Sequence, residues 1–123
     1  MILRALFVAL ALFAALSGCQ SRKEIGIPEH LLGVWTTAHP KYADRYFEIR
    51  NDGLILGQGG EDFVLYPIVD IDESHEGGST LYTIVHLNHE GQRFTFAFYY
   101  DPANNGMLRF KNQQNIVWTK EKQ

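Results

Sequence analysis

The side chains able to do chemistry are few and poorly spaced for it. Five histidines, His30, His39, His75, His86 and His89, are scattered along the chain. His86 and His89 stand three residues apart, and on a strand that spacing points them to opposite faces, so without a bulge they cannot chelate one metal. Asp70-Ile71-Asp72-Glu73-Ser74-His75-Glu76 is an acidic run closed by Gly77-Gly78. Its glycines would let carbonyls converge on calcium, but the spacing is not that of an EF-hand loop, and a solvated hairpin tip is the expectation. Gly57-Gln58-Gly59-Gly60 leads into no helix and so offers a phosphate no helix N-terminus. No Ser-His-Asp constellation stands out. With Cys19 as the single cysteine, no internal disulfide can form. The expectation is a protein that is not an enzyme and holds no metal or cofactor.

The elements that must position these residues are short strands. The composition, 46% hydrophobic and 13% aromatic in 123 residues, suits one packed domain rather than a disordered chain. A formal charge of −3 with scattered bases removes the electrostatic case for nucleic acid. Apolar-rich segments near 33–38, 44–51, 53–58, 63–72, 79–89, 92–100, 107–112 and 115–120 alternate with turn signals, and only Pro28–Leu32 suggests a helical turn. The expected fold is all-β, a single antiparallel meander barrel of about eight strands, because closure removes open edges.

Three hairpins fix an expected register. A turn at Asp52-Gly53 sets Ile49 opposite Leu56 and Phe47 opposite Gln58, so Phe47, Ile49, Leu54 and Leu56 share a face. A two-residue turn at Glu90-Gly91 sets Leu87 opposite Phe94, Val85 opposite Phe96, Thr83 opposite Phe98 and Leu81 opposite Tyr100. The reverse face then carries His86, Ile84 and Tyr82 with Thr95, Ala97 and Tyr99. A turn at Gln113-Gln114 pairs Phe110 with Val117 and Arg109 with Trp118. The interior is expected to be mostly filled, with a shallow cleft at one mouth. Outside, Tyr66, Ile68, Tyr82, Ile84 and Tyr99 would form a tyrosine-rich stripe, suited to a protein interface unless Pro28–Leu32 folds back over it.

Residues 1–18 begin with one cation, Arg4, followed by an apolar run from Ala5 to Leu16, shorter than the ~20 residues of a natural membrane span. They are expected to be a signal segment. Leu16-Ser17-Gly18-Cys19 resembles the lipobox of bacterial lipoproteins. That resemblance implies a diacylglyceryl thioether and acylation (palmitate among the chains) at Cys19, hence a membrane anchor. Gln20 in place of an aspartate implies the outer membrane of a cell envelope that has one. Residues 19–30 would be the tether and 31–123 the barrel domain.

Gly33-Val34-Trp35 at the mouth of the meander resembles the lipocalins and the wider calycin superfamily. There the tryptophan plugs the closed end and an arginine from the last strands packs across it, a role that falls here to Arg109. The chain is shorter than a typical lipocalin and lacks the Thr-Asp-Tyr motif and the C-terminal helix. The expected function is a non-catalytic envelope module that binds a small apolar or amphipathic ligand, lined by Trp35, Phe47, Phe94, Phe96, Phe98, Tyr100 and Arg109. The alternative is a protein-interaction or inhibitor module, with an envelope partner or a second copy held by Tyr66, Tyr82, Ile84 and Tyr99.

Overall fold

The computed structural model describes residues 25–122. The expected signal segment and the expected lipidation site, Cys19, lie outside the described residues. Eight strands follow one another: β1 (Gly33–Thr36), β2 (Tyr46–Ile49), β3 (Gly53–Gly59), β4 (Asp62–Glu76), β5 (Ser79–Leu87), β6 (Arg93–Asp101), β7 (Met107–Phe110) and β8 (Gln113–Lys120). Each pairs with the next and β8 pairs with β1, giving a closed antiparallel meander barrel, as expected from the sequence. The architecture is compatible with a lipocalin-like fold.

In each of the three hairpins with an expected register the pairing slips by one or more residues, and the parity of the slip decides the consequence. Between β2 and β3 the turn residues are Asn51-Asp52, and the Arg50 N–H donates to the Gly53 carbonyl at 2.9 Å. Ile49 therefore faces Leu54 and Phe47 faces Leu56. The slip is even, so Phe47, Ile49, Leu54 and Leu56 keep their common inward face. Gly57 is needed for a different reason: a Cβ there would collide with the Tyr46 ring that lies across it.

Between β5 and β6 the slip is odd. Asn88 pairs with Gln92 around a three-residue loop, and its side-chain oxygen accepts the Glu90 and Gln92 N–H groups at 2.9 and 2.8 Å. Gly91 takes the left-handed position at φ 78, the usual ending of such a loop. His86 consequently faces Phe94, Ile84 faces Phe96 and Tyr82 faces Phe98. This corrects the expected ladder and turns the Tyr82, Ile84 and His86 face inward.

The last hairpin turns at Lys111-Asn112, with Phe110 opposite Gln113. An irregularity then sets Leu108 opposite Trp118, so the expected pairing of Arg109 with Trp118 does not form. β4 carries a bulge between Ile68 and Asp70, and it serves β3 up to Pro67 and β5 from Ile68 onward. The acidic run is the far half of this strand rather than a loop.

The core is dominated by large side chains. Trp35, Phe47, Phe98, Leu31, Ile49, Leu54, Ile84 and Leu108 are fully buried. Each such aliphatic or phenyl group contributes about 1.5–3 kcal/mol on burial. The Phe47 ring is the hub, with centroids of Trp118 at 5.1 Å, Phe96 at 5.3 Å and Phe110 at 5.5 Å. Rings at these separations are in contact. These rings and the buried aliphatic side chains around them occupy the centre of the barrel.

Candidate functional site

Strands alternate in direction, so the two ends of the barrel carry different loops. One end receives the incoming chain. A single 3-10 turn, Glu29–Leu31, folds back over it and buries Leu31 completely. The Trp35 indole N–H donates to the Leu31 carbonyl at 3.0 Å. Lys120 lies across Trp35, its Nζ 5.3 Å from the ring centroid, and donates to the His30 carbonyl at 2.8 Å. Burial lowers the affinity of this ammonium for its proton, and nearby Glu29 opposes the change. The closing cation is thus Lys120 and not Arg109. Arg109 stands opposite Tyr99 on the outer face, because the irregularity in β7–β8 assigns the inward position to Leu108.

The same end holds a polar chain. Tyr82, inward and buried, donates its hydroxyl to Glu73 Oε1 at 3.0 Å. His30 Nε2 stands 3.0 Å from that hydroxyl, and the His30 ring lies 4.6 Å from Tyr100. Burial and then the bond to Glu73 push the Tyr82 phenol up to about 12. With Tyr82 donating to Glu73, the His30 ring nitrogen must be the donor to Tyr82. The Pro28–Leu32 turn thus covers Tyr82 at the end of the barrel rather than an outer stripe.

The opposite end carries the connection from β1 to β2 and the turns after β3, β5 and β7. Tyr42, in the 3-10 turn Pro40–Tyr42 of the first connection, accepts from the Gln113 side chain at 3.2 Å and lies 6.2 Å from Trp118. Beyond Ala97, β6 loses β7 as a partner, since the Lys111 N–H to Ala97 carbonyl bond of 3.1 Å is the final link. A cleft of about 520 Å³ opens there, walled by Thr95, Phe96, Ala97, Phe110, Lys111, Asn112 and Gln113. Its apolar floor is part of the aromatic hub, since Phe96 and Phe110 meet edge-on at 5.0 Å. Its rim is polar. A groove of about 710 Å³ at the other end, between Glu29 and the Arg50–Asp52 turn, has charged walls and little apolar depth.

Beside the cleft, on the rim of the mouth, four rings cluster. His86 lies 5.2 Å from Tyr66 and 6.1 Å from Phe94, and His89 lies 5.8 Å from Tyr66. His86 is 9% exposed, and burial pulls its imidazole below the usual range. Among the described residues, His86 Nδ1 and Trp118 Nε1 are the buried side-chain nitrogens without a hydrogen-bond partner. No three His, Cys, Asp or Glu residues among those described converge as metal ligands.

The expected ligand residues do not form one pocket. Trp35, Phe47 and Phe98 are sealed in the core, and Tyr100 packs at the closed end against His30. Phe96 floors the cleft, while Phe94 points along the inner face but is 49% exposed at the rim. The expected outer stripe does not form either. Ile68, Tyr82 and Ile84 are buried inside, and Tyr66 faces inward opposite Leu54. The odd slip at Asn88 and the β4 bulge account for these reversals. Tyr99 alone of that group faces out, donating to Glu76 Oε2 at 2.9 Å across β5, with Leu81 buried between them. The sequence reading missed the parts played by His30, Glu73, His86 and Lys120. For His86 the signal was present: Asn88 and Gly91 mark a three-residue loop, which turns His86 inward.

The chain matches no family model, no curated protein and no solved structure.

Proposed function

We propose that this chain is a lipid-anchored cell-envelope protein whose barrel is a non-catalytic binding module for a small apolar or amphipathic ligand. The cleft between β6 and the β7–β8 turn carries the reading. It exposes Phe96 and Phe110, which belong to the core, beneath a rim of Lys111, Asn112 and Gln113. An apolar floor with a few polar groups at the edge is the usual make-up of a small-molecule site. The Leu16–Cys19 motif supports the anchor. Native mass spectrometry of detergent-free protein tests the binding role by revealing a co-purifying small molecule. An apolar fluorescent probe should bind the wild type and lose most of its affinity in Thr95→Trp, which fills the cleft. A probe indifferent to that substitution refutes the site. Cys19→Ser should abolish palmitate incorporation, and continued labelling removes the anchor.

A second reading, an interaction or inhibitor module facing an envelope protein, rests on Phe63 and Leu65, which stand 60% and 48% exposed on the outer wall of β4. In-cell cross-links lost on Phe63→Ser with Leu65→Ser would favour it over small-molecule binding.

A further inference from the structure

We propose that the open edge of β6 at residues 93–95 takes up an extended peptide segment as an added strand, one in which acidic residues alternate with apolar ones. The inference goes beyond the cleft reading above: it shares the apolar floor of the cleft and names a different occupant.

The β5–β6 hairpin outreaches its neighbour. The Lys111 N–H to Ala97 carbonyl bond is the final link to the β7 side, and β6 runs on past it to Arg93. Backbone groups of alternate residues point to the same side of a strand. Ala97 directs its carbonyl toward β7, so Thr95 and Arg93 direct their N–H and C=O groups the same way. Gln92 directs its carbonyl to Asn88, which assigns the even-numbered residues to β5. No β7 residue stands opposite Thr95 or Arg93, and both are exposed. An exposed edge of unpaired donors and acceptors is a template for another strand. The fold guards a second open edge in a way it does not guard this one. Residues 70–76 of β4 also lie beyond β3, but they are set with carboxylates, and the Asp70 side chain accepts the Ile71 N–H at 2.9 Å. Arg93-Phe94-Thr95-Phe96-Ala97 has no carboxylate.

The surroundings of the edge define the occupant. A strand laid along β6 sets its side chains alternately on the inner and outer faces. On the inner side lie the half-exposed Phe94 ring and the cleft floored by Phe96 and Phe110, so those positions suit apolar groups. The charged groups at hand are cations: Arg93 on the edge itself, and Lys111 in a cleft wall that holds no carboxylate. Acidic residues at the outward positions meet complementary charge there, and basic ones meet like charge. A plain hydrocarbon covers the floor but leaves the backbone of Thr95 and Arg93 to water, whereas a peptide engages both.

The probe is a capped peptide of five residues, glutamate alternating with valine. Added as an antiparallel strand, it aims its glutamate N–H groups at β6 and its valine N–H groups at solvent. Calorimetry on wild-type protein should show binding that falls at least tenfold when the glutamate nitrogens are methylated and stays within twofold when the valine nitrogens are. Amide exchange at Thr95 should slow at least tenfold at saturation. Lysine in place of glutamate should weaken the probe, and Arg93→Glu with Lys111→Glu should reverse that order, with unchanged near-ultraviolet circular dichroism reporting the fold. Silence of the peptide, equal losses from the two methylations, or unslowed exchange at Thr95 overturns strand addition, and a lysine probe that binds as tightly as the glutamate one overturns the assigned partner. An apolar fluorescent probe that still binds in those cases leaves the small-molecule reading of the cleft intact, whereas its silence as well removes that reading too.

Discussion

Tyr82→Phe removes a single hydroxyl at the closed end and should abolish that group's share of the alkaline pH dependence of stability. The hydroxyl donates to Glu73 and receives His30, so two hydrogen bonds are lost, one of them to a carboxylate. Bonds to charged groups contribute about 1.5–3 kcal/mol when buried. Both partners are exposed here and recover water, so the expected loss at neutral pH is about 1–2 kcal/mol. The phenol moves from its ordinary 10.0 to about 12 on folding, because burial and Glu73 both disfavour the tyrosinate. A displacement of that size corresponds to roughly 3 kcal/mol of preference for the neutral form. The sign follows from proton counting. Between pH 10 and 12 the folded state holds a proton that the unfolded chain has released. This stabilisation is complete below 10 and is lost as pH rises through 12. Urea unfolding across that range should show the wild type losing its advantage over Tyr82→Phe. Tyrosinate absorbance should show one late-titrating group of the six tyrosines disappear in the variant. Tyr99, whose bond to Glu76 also raises its phenol, should still titrate late, so a stability difference independent of pH, or an unchanged number of late-titrating groups in Tyr82→Phe, refutes the account.

The closing cation is tested by comparing Lys120→Ala, expected to cost about 1–2 kcal/mol through the lost cation–π contact and the bond to His30, with Arg109→Ala, expected within about 0.5 kcal/mol of wild type. Denaturant midpoints decide it, and equal losses would count against the assignment. Phe47→Ala should cost about 3–5 kcal/mol because it empties the aromatic hub, whereas Phe94→Ala at the rim should cost under about 1 kcal/mol. His86 resists protonation in the fold, so stability is complete above the ordinary 6.5 and falls as the pH drops below it. Tyr66 is the titratable ring packed against it, and His89 packs in turn against Tyr66. The acid-side slope should be shallower in His86→Phe.

Strand number and order were legible in the alternation of apolar segments with Gly, Pro, Asn and Asp, whereas closure was expected only from the cost of open edges. Which face each strand presents depended on loops of two residues against three. Phe47, Ile49, Leu54 and Leu56 were assigned inward because the error at Asn51-Asp52 was even. Tyr82 and Ile84 were assigned outward because the error at Asn88 was odd, and one residue reverses a strand. The side-chain acceptor of Asn88 and the left-handed Gly91 settle that loop, and both residue types stand in the sequence. The closing role of Lys120 was not legible. It requires the end of β8 to meet β1, a pairing that local periodicity does not encode. The bond from His30 to Tyr82 is hidden for the same reason.

Two residue pairs, Trp35 with Lys120 and Thr36 with Thr119, join the last strand to the first, helped by one bond of 2.7 Å from the Glu121 N–H to the Val34 carbonyl. Every other strand meets a neighbour adjacent in sequence. The ring is therefore a string of local hairpins fastened by one clasp, to which the Thr37 hydroxyl adds a 2.7 Å bond to the Val117 carbonyl, and the clasp brings together opposite ends of the described chain. Hairpin by hairpin assembly costs little chain entropy, but fastening must await the final residues and carries most of the loop-closure penalty. Amide hydrogens of β1 and the tail of β8 should consequently be the first strand amides to exchange, and shortening the chain to before Thr119 should leave an unclasped sheet with Trp35 uncovered.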